Sequence, residues 1–249
     1  MSVIYILWLR QLKRYVRSRA RLFGSLGQPV LFLVALGFGL GPVFERAGEG
    51  NYIQFLAPGV IAMSVLFTSI FSGMEIIWDK QFGFLKETLV APVSRTNIMI
   101  GRTLGGATVA VVQGLIVFAI STLIGFRPEN LSTIPLAFVF MFLIAVLFTA
   151  FGTAIASTLD DMQGFHLIMS FVVMPTFFLS GAVFPLVDLP KALMIVSSLD
   201  PLSYGVDGLR GALTGVNYFP LWQNFTILSI AVILLIGVGA YMFSRIEVK

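Results

Sequence analysis

The sequence predicts an all-α integral membrane protein. The expected fold has six transmembrane helices, an N-terminal amphipathic interfacial helix, and a re-entrant or interfacial helix pair before the last span. Three observations carry this. The 249 residues are 57% hydrophobic and 11% charged, and the mean hydropathy is +0.95, whereas a soluble domain carries about 25% charged residues. Six continuously apolar runs each suffice for about 20 helical residues, the length that crosses roughly 30 Å of hydrocarbon. The basic residues are also one-sided along the chain. Together these exclude a soluble enzyme, a disordered chain and an ordinary nucleic-acid binder. Zero Cys removes disulfides and thiolate sites, and a single His removes histidine metal clusters.

The spans are placed at Leu22–Phe44, Phe55–Ile77, Leu104–Phe126, Ile134–Ser157, Phe165–Leu186 and Trp222–Phe243. No β-barrel alternation is present, and only helices satisfy a lipid-exposed backbone without it. Arg10, Lys13, Arg14, Arg17, Arg19 and Arg21 precede the first span. Lys80, Lys86, Arg95 and Arg102 follow the second, and Arg245 and Lys249 end the chain. These make 12 of the 16 basic residues on one side, with Arg46, Arg127, Lys191 and Arg210 on the other. The positive-inside rule then predicts a multi-pass protein of the cytoplasmic (inner) membrane with both termini cytoplasmic. A cleavable signal peptide is not expected, because the first apolar run starts only after 21 residues and has full span length.

Three segments are not spans. Residues 1–21 carry Arg10, Lys13, Arg14, Arg17 and Arg21 within one helical arc, with Ile4, Trp8, Leu12 and Tyr15 opposite. The pattern reads as a helix on the inner leaflet or, more plainly, a solvated basic tail. The loop 79–103 offers a short helix in which Phe82, Leu85 and Leu89 share a face, ended by Pro92, with Ser94 as N-cap of the next helix. Exposed apolar side chains on such a helix suit a partner's groove, or else fold back on the bilayer. Residues 185–220, with four prolines and two half-span apolar runs joined at Asp200-Pro201, read as re-entrant or as flat on the outer surface.

None of the six spans holds an interior Asp, Glu, Lys or Arg, which disfavours ion-coupled transport. Glu75 and Asp79 stand at the cytoplasmic end of the second span, Glu75 reading as a plain helix-end charge or else as paired with Lys80 or Arg102 or facing a partner. His166 is an interfacial or capping residue, and Asp160-Asp161 a loop or helix cap. No phosphate-binding loop is present, so energy for uphill transport has to come from another subunit. A membrane-embedded enzyme or scaffold stands as the alternative class.

Four strings carry a family resemblance: Phe55-Leu56-Ala57-Pro58-Gly59, Glu87-Thr88-Leu89-Val90-Ala91-Pro92-Val93-Ser94-Arg95, Phe178-Leu179-Ser180-Gly181-Ala182-Val183-Phe184-Pro185, and Leu199-Asp200-Pro201-Leu202-Ser203-Tyr204 continuing into Val206-Asp207-Gly208-Leu209-Arg210-Gly211. In this order on this topology the chain resembles the ABC-2 type transporter permeases, membrane subunits of ABC exporters. Its last two strings look most like daunorubicin-resistance-type and nodulation-factor-export-type members. The resemblance implies one transmembrane domain over 1–249 and a homodimer in the lipid bilayer with two copies of a cytoplasmic ABC ATPase. That ATPase would carry ATP and Mg, with no cofactor in this chain. It implies outward movement of an amphipathic drug, lipid or lipid-linked saccharide, as in multidrug efflux. Phe82, Phe84, Leu85, Lys86, Glu87 and Leu89 would form the coupling helix, with Glu87 pairing to the ATPase. Pro175, Phe177, Phe178 and Tyr204 would line the translocation path or outer gate.

Overall fold

The computed structural model describes residues 2–47, 50–85, 88, 93–186 and 190–246; at 19–21 only the backbone is described. Among the described residues every regular element is helical. The helices are α1 (Val3–Arg17), α2 (Arg19–Arg46), α3 (Tyr52–Gln81), α4 (Arg95–Ile124), α5 (Ile134–Thr158), α6 (Met162–Leu179), α7 (Lys191–Leu199), α8 (Pro201–Thr214) and α9 (Leu221–Ser244). Six of them, α2 from Leu22, α3, α4, α5 with its preceding turn, α6 and α9, are long and apolar enough to cross a membrane.

Capping chemistry sets many of the boundaries. Ser2, Asn51, Ser94, Asp161 and Asp200 each accept a backbone N–H of the first turn of the helix they precede, satisfying donors that the helix itself leaves open. The fifth span is shorter than the sequence suggests, because α6 stops at Leu179. Gly181 follows at φ +75°, a left-handed conformation that ends a helix cheaply only at glycine. Inside α6 a π-helical turn covers Met169–Val173. Pro175 has no N–H to return to the preceding turn, and such a register change accommodates that loss.

The hub is α3, whose most apolar window is 89% buried against 17% in both α2 and α9. It crosses α5 with glycine on glycine: a Cβ on Gly73 would lie 2.3 Å from the backbone carbon of Gly152. Small residues at such crossings let helices pack backbone to backbone, which is how packing without a hydrophobic drive is achieved in lipid. The exposed aliphatic and aromatic side chains of α2, α6 and α9 cover the outside of the bundle.

The N-terminal helix packs lengthwise on α4. Gly101 faces Ile4 and Leu7, and Gly105 faces Trp8 and Gln11. The Trp8 indole N–H donates to Thr108 Oγ1 at 3.0 Å, and the Tyr15 hydroxyl pairs with Gln113. Residues 4 to 15 therefore run beside residues 101 to 113 in the same direction, for about three turns. Glycines at 101 and 105 make room for this contact.

In 185–220 the two helices differ. Exposed Leu193, Ile195, Val196 and Leu199 lie on α7, whereas α8 is buried from Leu202 to Thr214, packed among α3, α5 and α9. Leu202 and Leu213 bracket a segment in which Gly205 and Gly208 lie directly on Ile144 and Phe140 of α5.

Candidate functional site

The bundle has two polar ends. At the first, α1 and α3 are antiparallel and carry matched charges at four-residue spacing. Arg14 Nη1 lies 3.4 Å from Glu75 Oε2, and Arg10 Nη2 lies 3.3 Å from Asp79 Oδ1. Residues four apart share a helix face, so one register brings both pairs together. Asp79 is also met by Arg102 of α4, with both side chains 5% exposed. Glu75 is thus met by Arg14, a partner not expected from the sequence. Lys80 points away, donating to the carbonyls of Ser157 at 2.7 Å and Leu159 at 2.9 Å and lying 3.5 Å from Asp160. There it caps the C-terminal end of α5, where open carbonyls favour a cation. Arg14 also sits over the Trp78 ring at 5.6 Å, a cation–π distance. The basic arc of α1 is therefore engaged in part by the acids of α3.

Beside this cluster the chain leaves α3. Phe82 is its C-cap, and Gly83 at φ +78° breaks the path into the next turn. Phe82 and Phe84 are exposed, at 72% and 52%, while Leu85 is fully buried. This corrects the expectation that Phe82 and Leu85 share a face: the left-handed glycine re-aims the chain between them. Lys86, Glu87 and Leu89 lie outside the described residues. A groove of about 920 Å³ runs along α1 from Phe84 and Tyr5 past Arg10, Lys13, Arg14 and Arg17 to Ser18. It joins two exposed aromatic side chains to a row of cations.

The opposite end is organised by Arg210. Its Nη2 donates to the Gly181 carbonyl at 2.7 Å, its Nε donates to the Phe55 carbonyl at 3.4 Å, and its guanidinium lies 4.0 Å from the Phe55 ring centre. A Cβ on Gly59 would lie 1.9 Å from the Ala182 carbonyl oxygen. Three of the four strings quoted above thus meet at one cation. Asp207 accepts the N–H groups of Tyr218 and Phe219 and the Asn224 side-chain amide, at 2.7, 2.9 and 2.8 Å, which ties the turn after α8 to α9. At the α7–α8 corner, burial raises the Asp200 carboxyl to about 7, opposed by the Leu202 N–H and the Ser203 hydroxyl. The low local polarity there penalises the charged form.

The residues expected on the path separate into two groups. Phe177 is 1% exposed and packs against Phe32, Phe67 and Phe178, with ring centres 6.4, 6.1 and 5.3 Å away. It belongs to the α2–α3–α6 core, with Pro175 two positions earlier on the same helix and Phe178 42% exposed. Tyr204 is elsewhere: its hydroxyl donates to the Ser198 carbonyl at 2.8 Å and its ring lies 5.0 Å from Phe219. Arg210 and the Arg10/Arg14–Glu75/Asp79 register were missed in the sequence. The second had a signal, because both pairs are spaced by four.

The ABC-2 type transporter family model matches residues 2–214. Among similar proteins, the putative transport permease ycf38 of Pyropia yezoensis is 30% identical over 216 residues, which cover 84% of this chain and 72% of the relative. The inner membrane transport permease YadH of Escherichia coli (strain K12) is 28% identical over 235 residues, 91% of this chain and 89% of the relative. Nodulation protein J of Rhizobium leguminosarum bv. viciae is 26% identical over 198 residues, 79% and 76% of the two chains. With six span-length helices and a family match over most of its length, the chain belongs to the ABC-2 type transporter family and is a multi-pass membrane transport permease.

Proposed function

We propose that this permease is the membrane half of an ATP-driven exporter. Two copies work with two ABC ATPase subunits and move an amphipathic drug, lipid or lipid-linked saccharide outward. Membership in the family implies an ABC ATPase partner; stoichiometry, direction and cargo are our reading. The observation that carries it is the pair Phe82 and Phe84, exposed at the end of the hub helix and joined through α3 to the ion pairs on α1. A partner groove that takes these two rings, with the segment holding Lys86, Glu87 and Leu89, would move α3 and α1 as one body. Basic residues gather at this end, which supports placing it, and both termini, in the cytoplasm. In the same reading 1–21 lies near that face and 185–220 re-enters from the other side. Hydrolysis belongs to the partner, and the permease contributes motion and a path.

The test is co-purification of the permease with its ABC ATPase. Replacing both Phe82 and Phe84 by Ala should lower recovery of the ATPase at least tenfold, since anchoring aromatic side chains each cost about 2 kcal/mol or more at hot spots. Undiminished recovery would sink the docking assignment. ATP-dependent uptake of amphiphile into inside-out vesicles checks direction; uptake only into right-side-out vesicles would make it an importer.

A further inference from the structure

A cleft of about 630 Å³ opens between α1, α2 and α3, within the size range of sites for drug-sized ligands. Its α3 wall runs from Trp78 to Met63, about 22 Å of helix, and changes character with depth. Arg14, Ser18 and Trp78 stand at its mouth and are shared with the cationic groove along α1. Phe71, Phe67 and Met63 line the interior. Among the described residues, Ser64 Oγ is buried there without a hydrogen-bond partner, a state that costs free energy unless a ligand or water satisfies it. Opposite, Gly24 leaves open space, with nothing within 4 Å of an added Cβ.

Charge decides which head fits. Within the cleft Arg14 lies 3.4 Å from Glu75, and the adjoining groove that shares its mouth adds Arg10, Lys13 and Arg17 against Asp79, which Arg102 already meets. The excess is positive, so an anionic group is drawn to it and a cationic one repelled. Phe71 and Trp78 are partly exposed, so the cleft can be reached from the side of the bundle. The docking rings Phe82 and Phe84 lie near Tyr5 and Ile6, two turns of α1 away from Arg14, so both uses can coexist.

We propose that this cleft is an entry site for cargo with a phosphate or carboxylate head on a compact apolar body. The head lies at Arg14 and Ser18, and the body passes Phe71 and Phe67 toward Ser64. The inference rests on the exporter reading and gives its cargo a chemical class.

The test is binding of 12-(dansylamino)dodecyl phosphate to the full-length permease in phosphatidylcholine nanodiscs, with the same tail on a trimethylammonium head as comparison. Binding should be saturable and at least about tenfold tighter for the phosphate. Gly24→Phe fills the cleft from a wall with room for the ring and should abolish it, and Arg14→Gln should weaken it about tenfold. Should Arg14→Gln fail to fold, Gly24→Phe and the head-group comparison decide alone. Equal binding of the two heads, or binding unchanged in Gly24→Phe, would overturn the assignment. Displacement by lysophosphatidic acid points to a membrane lipid and displacement by dodecanoate to a soluble organic acid; displacement by neither overturns the class. Binding without ATP-dependent movement counts against the exporter reading alone, and ATP-driven movement of amphiphiles without binding here counts against the cleft alone.

Discussion

The Arg210 guanidinium of α8 lies over the Phe55 ring of α3 at 4.0 Å and donates to the carbonyl of the same residue. One side chain thereby holds the start of the hub helix, while its other donor holds the Gly181 carbonyl after α6. Replacing Arg210 by Met leaves those carbonyls without that donor and should cost about 2 kcal/mol. Thermal unfolding of the detergent-solubilised protein, followed by size-exclusion fluorescence, should show a lower midpoint. Arg210→Lys should fall between the two, since an ammonium keeps the charge and loses the fork.

Gly59 and Gly24 should respond oppositely to alanine. At Gly59 the new Cβ would stand 1.9 Å from the Ala182 carbonyl oxygen, and at Gly24 it meets nothing within 4 Å. Gly59→Ala therefore forces α3 away from the segment after α6 and should give little folded protein. Gly24→Ala should be neutral or stabilising by up to about 1 kcal/mol from helix propensity. Comparable melting of the two variants would refute the close approach.

The ion pairs at the other end differ in burial, and so should their worth. Asp79 and Arg102 are each 5% exposed. Asp79→Asn leaves the arginine charge buried and should cost about 3 kcal/mol, with much of the loss recovered when Arg102 is also replaced by Met. Arg10 is 42% exposed, so Arg10→Gln should cost less than about 1 kcal/mol. A double-mutant cycle on melting midpoints checks both.

Stability should depend on pH through Asp200, whose carboxyl stands at about 7 when folded against an ordinary 3.8. Between these values the folded chain holds a proton that the unfolded chain has released. The contribution is complete below about pH 4 and is lost as pH rises to about 7, by about 4 kcal/mol at most. Asp200→Asn keeps an acceptor for the Leu202 N–H and should flatten this part of the profile. An unchanged slope in that variant would assign it to other groups.

Much of the architecture is legible because lipid makes the rules strict. An apolar run such as Ile134–Ser157 has one stable form in hydrocarbon, so composition and length suffice to place it. Ser94 and Asp161 are visible as caps for a similarly local reason: their oxygens satisfy amides two or three residues on. Phe82 illustrates the limit. Helical spacing puts it with Leu85, but Gly83 at φ +78° turns one outward and the other in, and a period of 3.6 carries no information about a left-handed residue.

The sequence by itself determined that this chain spans a membrane six times, that its cations gather at one end, and that it resembles a transport permease. All three follow from short-range transfer energies and from ordered strings of residues. Only the tertiary structure decided that α1 lies along α4 with Arg10 and Arg14 on the acids of α3. It alone buried α8 and made Arg210 the meeting point of three distant segments. These facts depend on which helix faces meet across up to 155 positions of chain, and such pairing is settled by packing, through glycines such as Gly59, Gly73 and Gly101 that let backbones touch.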